Sequence, residues 1–307
     1  MKFAYLILAH KDPEHLERLI HALSTSNSHF FIHIDKKSNM RDFDRIKGNN
    51  IHFIKKRVAV HYDYSMLKAI LRLLRFALDF DIYFNYFIHL AGVDYPIQPA
   101  IYIEHFLEQY SGKEFLEILP TPSGEQEFPV IRLAKYEYLH NSSLIERVFH
   151  QLYVKFNFSK DRLKEFQSFS IAPYWGSSFW ALTRNACEYI RSFVTTNPKI
   201  MKFMRNTHYP EEMLFQIILG NSPFMGNIVN NLHFVDWSLG TTHPPELSEK
   251  HIDFFSKSIQ VIQGEKECLF ARKFCSRNGV LVDKLDEMID EKEKIFLERH
   301  GDNNLTE

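Results

Sequence analysis

The first hundred residues alternate short apolar runs with stretches of helical periodicity. Between the apolar runs, residues 13–24 and 65–78 place leucine and isoleucine at spacings of three and four, which predicts helices with one apolar face. The apolar runs have the length and the β-branched or aromatic content of buried strands. They lie at 3–9, 30–34, 51–54 and 86–91. Strands that alternate with crossover helices predict an α/β fold with a mostly parallel central sheet flanked by helices.

The pattern becomes irregular beyond Gly112. A short strand is predicted at 115–119, and a polar loop at 121–127 leads into an aromatic, basic stretch that ends near Phe158. Irregular segments of this kind often carry binding surfaces. The remaining predicted elements are a strand at 178–182, a helix at 184–194, a helix opened by Pro210, a strand ending near Trp237 and a charged amphipathic C-terminal helix.

Composition and charge narrow the class of protein. The chain has 307 residues, of which 45% are hydrophobic, so it can bury a large core. Formal net charge is -1 and the 37 basic residues are spread along the sequence, so no basic footprint for a nucleic-acid partner is visible. No repeat, low-complexity tract or flexible linker divides the chain. We therefore predict one domain covering 1–307.

Cysteine usage and the N-terminus bear on location. Cys187, Cys268 and Cys275 have spacings that match neither a disulfide framework nor a zinc site, which favours a reducing, cytoplasmic compartment. The apolar start of the chain has no small-residue cleavage site and predicts a strand. No apolar run reaches the ~18 residues needed to cross a bilayer. Membrane contact, if any, is expected to be peripheral, at the inner face of the membrane.

Two carboxylates at Glu211 and Glu212 follow Pro210 and precede an apolar run. Proline suits the first helical position, and the positive end of a helix dipole favours ionised acids there. One of these acids could serve as a general base. The alternative is a helix start that merely prefers acidic residues.

Ligands of open parallel sheets bind beyond the carboxyl ends of the strands. His10 follows the first predicted strand, Asp35 follows the second, and Gly92-Val93-Asp94-Tyr95-Pro96 follows the fourth. Asp35 could accept a hydrogen bond from a nucleotide, or it could form an ordinary strand-exit turn. By themselves His10 and His61 are two of 16 histidines.

Near the C-terminus, the adjacent cations Arg272 and Lys273 lie between apolar neighbours that would pin them. Such a pair could neutralise a diphosphate without a metal ion, or it could be a solvated pair of charges. Glycine-rich phosphate loops are absent, which argues against kinases and dinucleotide oxidoreductases. Two Asp-x-Asp triplets, at 42–44 and 79–81, do not follow predicted strands and are interpreted as chance matches.

Taken in order, several of these stretches resemble the core-2/I-branching β-1,6-N-acetylglucosaminyltransferase family, which includes the peptide xylosyltransferases. The resemblance covers the chain from about residue 3 to residue 274. It depends on six segments in the family's order and at similar gaps. They are residues 8–11, 31–37, 89–97, 174–184, 210–212 and 270–274.

This resemblance implies a GT-A-like nucleotide-sugar-binding fold and an inverting transfer that uses no cofactor and no divalent metal. About 1–110 would form the nucleotide-sugar half, 111–280 the acceptor and catalytic half, and 281–307 a C-terminal helix and tail. Glu212 matches the family's general base, and Glu117 and Trp237 match acceptor-binding residues. The positions that match donor-binding residues are His10, Asp35, His61, Arg272 and Lys273.

The expected reaction moves a sugar, N-acetylglucosamine first among the candidates, from a UDP-sugar to a hydroxyl of an oligosaccharide or glycolipid acceptor. The few cysteines and the start at the first strand suggest a bacterial relative that acts in surface polysaccharide synthesis. Three alternatives stay open: a UDP-xylose transferase, a glycoside hydrolase using Glu117 and Glu212, and a non-catalytic glycan-binding protein. A second phosphate-binding cation has no clear match, although Lys250 and His251 are candidates.

Overall fold

A computed structural model describes residues 1–61, 63–120, 130–134, 148, 159–238, 244–258, 260–274 and 279–300. The strands in chain order are β1 (Phe3–Ala9), β2 (Ser28–Ile34), β3 (Ile51–Phe53), β4 (Tyr86–Ala91), β5 (Asp94–Pro96), β6 (Glu114–Leu116), β7 (Leu119–Pro120), β8 (Tyr174–Trp175), β9 (Trp180–Thr183), β10 (Ile228–Val229), β11 (His233–Val235), β12 (Ile262–Gln263), β13 (Lys266–Glu267) and β14 (Phe270–Arg272). The helices are α1 (Pro13–Ala22), α2 (Tyr64–Leu78), α3 (Ala100–Gln109), α4 (Val130–Ala134), α5 (Ser159–Gln167), α6 (Arg184–Thr196), α7 (Pro198–Met204), α8 (Leu214–Gly220), α9 (Glu249–Ser256) and α10 (Gly279–His300). Single 3-10 turns cover Met40–Phe43, Pro210–Glu212 and Met225–Asn227.

Seven strands form the central sheet in the order β10-β6-β9-β4-β1-β2-β3. Four neighbouring pairs are parallel, namely β3 with β2, β2 with β1, β1 with β4, and β6 with β10. Strand β9 runs antiparallel to both β4 and β6. The prediction of a mostly parallel sheet flanked by helices is therefore confirmed, and the sheet includes strands from both halves of the chain.

Strand β1 shows why this sheet has a helical layer on each face. Phe3, Tyr5 and Ile7 pack into one core cluster with α1, α3 and α10, whereas Ala4 and Leu6 pack into a second cluster with α2, α6 and α8. All five side chains are completely buried. Because successive strand residues point to opposite faces, an uninterrupted apolar run is what a strand covered on both faces requires. Burial of each large aliphatic or phenylalanine side chain among them, namely Phe3, Leu6 and Ile7, stabilises the fold by about 1.5–3 kcal/mol.

A second, three-stranded sheet lies beside the first, in the order β11-β14-β5. Strand β14 is parallel to β11 and antiparallel to β5, which places Arg272 opposite Asp94. Helix α10 is attached to this region through Asp286, which accepts hydrogen bonds from Arg18 at 2.6 Å and from the Tyr95 hydroxyl at 2.7 Å. The helix predicted at the C-terminus is thus confirmed, whereas residues 301–307 lie outside the described part.

Three sequence predictions need correction. The helix expected to open at Pro210 is two pieces, a 3-10 turn at Pro210–Glu212 and helix α8, because Met213 (φ −131°, ψ −42°) departs from helical geometry between them. The strand predicted at 115–119 is divided between β6 and β7, and the strand predicted from residue 178 begins at Trp180. The polar loop predicted at 121–127 and the stretch ending at Phe158 lie outside the described residues.

Helices long and apolar enough to span a bilayer are absent from the described part of the chain.

Candidate active site

The two predicted glutamates meet at the segment of residues 176–179, which joins β8 to β9. The Ser177 amide donates to Oε2 of Glu117 at 2.8 Å, and the Gly176 amide donates to the backbone carbonyl of Glu212 at 3.0 Å. Gln216 on α8 donates to the Ser177 carbonyl at 2.7 Å. Glu117 and the turn that carries Glu212 are therefore fixed by adjacent peptide units.

This junction requires a glycine at residue 176. A Cβ atom there would lie 2.1 Å from the Glu117 carbonyl oxygen and 2.8 Å from its carbonyl carbon. Both atoms belong to the backbone, so neither can move aside as a flexible side chain could. Glycine therefore sets the distance between the strand that carries Glu117 and the segment that holds the Glu212 turn.

Arg132 from α4 forms an ion pair with Glu212. Its Nη1 atom lies 2.5 Å from Oε2 of the glutamate, and its guanidinium carbon lies 5.0 Å from the centroid of the Tyr209 ring. The Arg132 side chain is 12% exposed and that of Glu212 is 32% exposed. Tyr209 itself has a positive φ of 47°, an uncommon conformation for a non-glycine residue. The Glu212 carboxylate is thus held by Arg132 at the edge of solvent.

Its neighbour Glu211 is buried instead. Burial raises the pKa of this carboxyl to about 8, and the Glu212 charge adds to the increase while Arg132 opposes it. Oε2 of Glu211 makes no hydrogen bond within the described residues. The two adjacent acids therefore differ in environment, one neutral and enclosed near pH 7 and the other paired and half-exposed.

Arg272 lies at the other end of the 176–179 segment. Its guanidinium carbon is 4.1 Å from the centroid of the Phe179 ring, and its Nε is 3.7 Å from Oδ1 of Asp94. Three residues of extended chain span at most about 10 Å, which bounds the separation of the Cα atoms of Gly176 and Phe179. The predicted base and one predicted diphosphate cation thus flank the same short segment.

Asp35 follows β2 and is almost completely buried. Its Oδ1 accepts from the Lys37 amide at 2.8 Å, its Oδ2 accepts from the Val60 amide at 3.3 Å, and Lys37 Nζ lies 3.6 Å from Oδ2. The carboxylate therefore holds the connection between β3 and α2 over the ends of β1 and β2. His10 is joined to the segment that follows β2 because its carbonyl accepts from the Ser38 hydroxyl at 2.5 Å. Burial, followed by Lys11, lowers the pKa of His10.

His61, a predicted donor-binding residue, is joined to the start of α2. Its amide donates to the Ser65 hydroxyl at 2.7 Å, and that hydroxyl donates to Oδ1 of Asp63 at 2.5 Å. Asp63 caps α2, and its charge is close enough to Glu211 to contribute to the raised pKa of that residue. The first turn of α2 therefore lies beside the Glu211–Glu212 turn.

Two predicted residues are less closely connected. Lys273 is half-buried next to Arg272, and its carbonyl accepts from the Leu247 amide at 3.0 Å. Trp237 is 56% exposed beyond β11. No contact joins it to Glu117, Glu212 or Arg272 in the described structure.

Of the two candidates for a second phosphate contact, His251 pairs with Asp236 at 3.0 Å and caps α9. Lys250 lies 4.0 Å from the same carboxylate and is exposed. Neither contacts Arg272 within the described residues.

The carboxylates of the Asp-x-Asp triplets contact none of Glu117, Glu212 and Arg272 in the described residues. Asp42, Asp44 and Asp81 are exposed, and Asp79 forms ion pairs with Arg75 and Arg191 on the surface. In the described ranges, no three His, Cys, Asp or Glu side chains converge as they would to hold a metal ion.

Sequence reasoning did not identify Arg132 or the role of Asp94. Arg132 follows a predicted polar loop and has no local pattern that links it to a residue 80 positions away. Asp94 belonged to a recognised strand-end stretch, but its cross-strand partner depends on the second sheet, which the periodicity of the chain did not predict.

The fold and this arrangement define an α/β protein whose candidate site joins two carboxylates to a cation held by packing. The chain matches the Core-2/I-Branching enzyme family model over residues 3–262 and belongs to that family. The matched range ends before β14, so Arg272 and Lys273 lie beyond it.

Characterised proteins of similar sequence include two xylosyltransferases and an N-acetylglucosaminyltransferase. Xylosyltransferase 1 of Rattus norvegicus is 27% identical over 78% of this chain and 28% of its own length. Xylosyltransferase 2 of Canis lupus familiaris is 26% identical over 89% of this chain and 32% of its own length. Beta-1,3-galactosyl-O-glycosyl-glycoprotein beta-1,6-N-acetylglucosaminyltransferase 4 of Mus musculus is 26% identical over 70% of this chain and 46% of its own length. The chain thus spans less than half of each of these relatives.

Proposed function

We propose that this chain is an inverting glycosyltransferase with a GT-A-like fold, which moves a sugar from a UDP-sugar to a hydroxyl of a glycan acceptor without a divalent metal. The observation that carries the proposal is the 176–179 segment, which has Glu117 and the Glu212 turn at one end and Arg272 at the other. Family membership and the transferase names of the relatives support the same reaction class.

In this mechanism Glu212 accepts the proton of the acceptor hydroxyl as the oxygen attacks the anomeric carbon. The new bond from that oxygen to carbon forms on the face opposite the diphosphate, and the bond from carbon to the UDP oxygen breaks with its electron pair on UDP. Lys273 and Arg272 offset the charge that develops on the departing diphosphate. Glu117 binds the acceptor, while His10, Asp35 and His61 bind the nucleoside side of the donor.

The donor and the pathway are further parts of the proposal. The names of the relatives favour xylose or N-acetylglucosamine as the transferred sugar, and we retain N-acetylglucosamine as the first choice with xylose as the alternative. We place the reaction in bacterial surface polysaccharide synthesis, at the cytoplasmic face of the membrane. Trp237, being exposed, would contact a distal part of a long acceptor rather than the reacting sugar.

A glycoside hydrolase would also use two carboxylates. That alternative gives no role to Arg272, which packs on Phe179 at the other end of the 176–179 segment, and does not accord with the transferase names of the relatives. A non-catalytic glycan-binding protein would not require the paired and half-exposed carboxylate of Glu212.

The test measures UDP release from a panel of UDP-sugars with and without glycan acceptors, and with and without EDTA. We expect release that depends on an acceptor and persists in EDTA. Positioned base catalysis is typically worth ~100- to 10,000-fold, so Glu212→Gln should lose that much turnover and still bind UDP. The exposed Glu287→Gln serves as the matched control. Release of sugar from a glycan without any UDP-sugar would instead identify a hydrolase, and loss of release in EDTA would refute the metal-free mechanism.

A further inference from the structure

Asp94 and Arg272 face each other across the second sheet. Strand β5 pairs with β14 in a register that places the two residues opposite each other, and Arg272 Nε lies 3.7 Å from Oδ1 of Asp94. The Asp94 side chain is completely buried, whereas that of Arg272 is 19% exposed. The arginine therefore extends from a buried carboxylate toward solvent.

Asp94 is itself fixed in place. Its Oδ2 accepts from the Ala91 amide at 2.7 Å, at the end of β4, and Nε2 of His233 lies 3.5 Å from the same oxygen. Burial alone would raise the pKa of Asp94, but Arg272 and His233 outweigh it and hold the pKa below its ordinary value. Oδ1 and Arg272 Nε make no hydrogen bond within the described residues. Two opposite charges thus lie just beyond hydrogen-bond distance, and a small rotation of Arg272 would join them.

Phe179 is the second residue that contacts the Arg272 guanidinium. The guanidinium lies over its ring at 4.1 Å, and the ring is itself packed against His89 and His233, with centroid distances of 5.5 and 4.7 Å. Burial lowers the pKa of both histidines, that of His89 to about 4, so both rings are neutral near pH 7. The orientation of the guanidinium is therefore constrained by the Asp94 carboxylate and the Phe179 ring.

Arg272 and Lys273 differ in their ion pairing. Asp94 cancels the charge of Arg272, whereas Lys273 has no ion pair among the described residues. We propose that Asp94 is a positioning residue that holds Arg272 in the orientation in which it binds the donor diphosphate, and that Lys273 supplies the net positive charge there. This inference rests on the proposed function.

The test compares UDP with uridine, which lacks the diphosphate, by calorimetric titration of wild type and Asp94→Asn. If Asp94 acted on UDP only through its negative charge, the variant would bind UDP more tightly, because that charge is removed. Positioning predicts weaker binding, by about 10-fold, the size typical of coupling between contacting residues. Uridine affinity should stay close to wild type in the folded variant, whereas the melting temperature should fall because the variant breaks a buried ion pair. UDP affinity that is unchanged or higher would overturn the inference.

A double-mutant cycle shows whether Asp94 acts through Arg272. In an Arg272→Gln background, Asp94→Asn should cause no further loss of UDP affinity, whereas equal losses in both backgrounds would contradict the coupling. Phe179→Leu removes the aromatic ring that packs on Arg272 without changing charge, and it should weaken UDP binding but not uridine binding. This variant tests the inference even if Asp94→Asn does not fold, because unchanged UDP affinity in Phe179→Leu would also contradict the positioning of Arg272. Wild-type protein that binds no UDP at all would instead refute the proposed function itself.

Lys273→Met provides the complementary measurement. If Lys273 supplies the net charge, the variant should lose most of the dependence of UDP affinity on salt concentration, since screening acts on net charge. Retention of the full salt dependence would assign that charge to Arg272 and contradict the division of roles.

Discussion

Arg132 Nη1 lies 2.5 Å from Oε2 of Glu212, although the two residues are 80 positions apart in the sequence. This ion pair stabilises the Glu212 charge in the turn Pro210–Glu212, a role that the sequence assigned to a helix N-terminus. Because the 3-10 turn at Pro210–Glu212 is too short to carry a large dipole, a side chain from α4 holds the Glu212 charge and its orientation.

We expect Arg132→Gln to lower turnover about 10- to 100-fold, because a base displaced by about 1 Å loses rate on that scale. Arg132→Lys keeps the charge but loses the rigid fork, so it should retain more activity than the glutamine variant. Steady-state rates with UDP-sugar and acceptor provide the measurement, with UDP affinity as the control. Wild-type turnover in Arg132→Gln would show that the ion pair is not needed to position Glu212.

The closest backbone approach in the site gives the second prediction. Gly176→Ala would place a methyl group 2.1 Å from the Glu117 carbonyl oxygen, so the strand or the segment must move. Overpacking of this kind typically costs about 1–3 kcal/mol, and the displacement should also reduce activity. Gly226→Ala is the matched control, since nothing lies within 4 Å of the added atom. Thermal melting of both variants tests this, and equal melting temperatures would contradict the proposed crowding.

The Asp-x-Asp triplets give the third prediction. Asp44 and Asp81 are exposed and contact none of Glu117, Glu212 and Arg272 in the described residues, so Asp44→Asn and Asp81→Asn should each leave UDP release unchanged. The measurement is the transferase rate with and without EDTA. A large loss in either variant that added manganese restores would mean that the triplet binds a metal needed for turnover.

Sequence patterns predicted the parts of the fold that depend on local periodicity. The predicted bounds of β1 and β4 agree with the structure because β1 is an uninterrupted apolar run, β4 is interrupted only by His89, and the two runs end at His10 and Gly92. The break at Met213 was missed; the turn before it follows Tyr209 in the left-handed conformation and lies close to Asp63 at the start of α2 and to Arg132 of α4. Local propensity contains no information about such contacts.

The candidate site was predictable to a similar extent. Family-type motifs selected Glu117, Glu212 and Arg272, and the structure brings them to one segment. Their partners Arg132 and Asp94 come from distant elements, so only the assembled sheets reveal them. Whether each residue has the predicted role stays a prediction for the variants described above.

The final prediction concerns Glu211 and the dependence of stability on pH. Burial and the neighbouring Glu212 charge raise the pKa of Glu211 to about 8 in the folded protein, and Asp63 adds to the effect while Arg132 opposes it. The pKa of an exposed glutamate in the unfolded chain is about 4.3. Between these two values the folded state holds a proton that the unfolded state has released. Stability therefore falls as pH rises from about 4.3 to 8 and changes no further above that range.

Glu211→Gln removes this titration and keeps the shape of the side chain. The melting temperature of wild type should therefore decrease relative to that of Glu211→Gln as pH rises from 5 to 8, and the difference should be constant from pH 8.5 upward. Differential scanning fluorimetry across this range provides the measurement. Glu287→Gln is the control, because it makes the same substitution at an exposed position. If the Glu211→Gln curve is parallel to wild type, Glu211 is ionised in the folded protein and the buried neutral acid beside Glu212 does not exist.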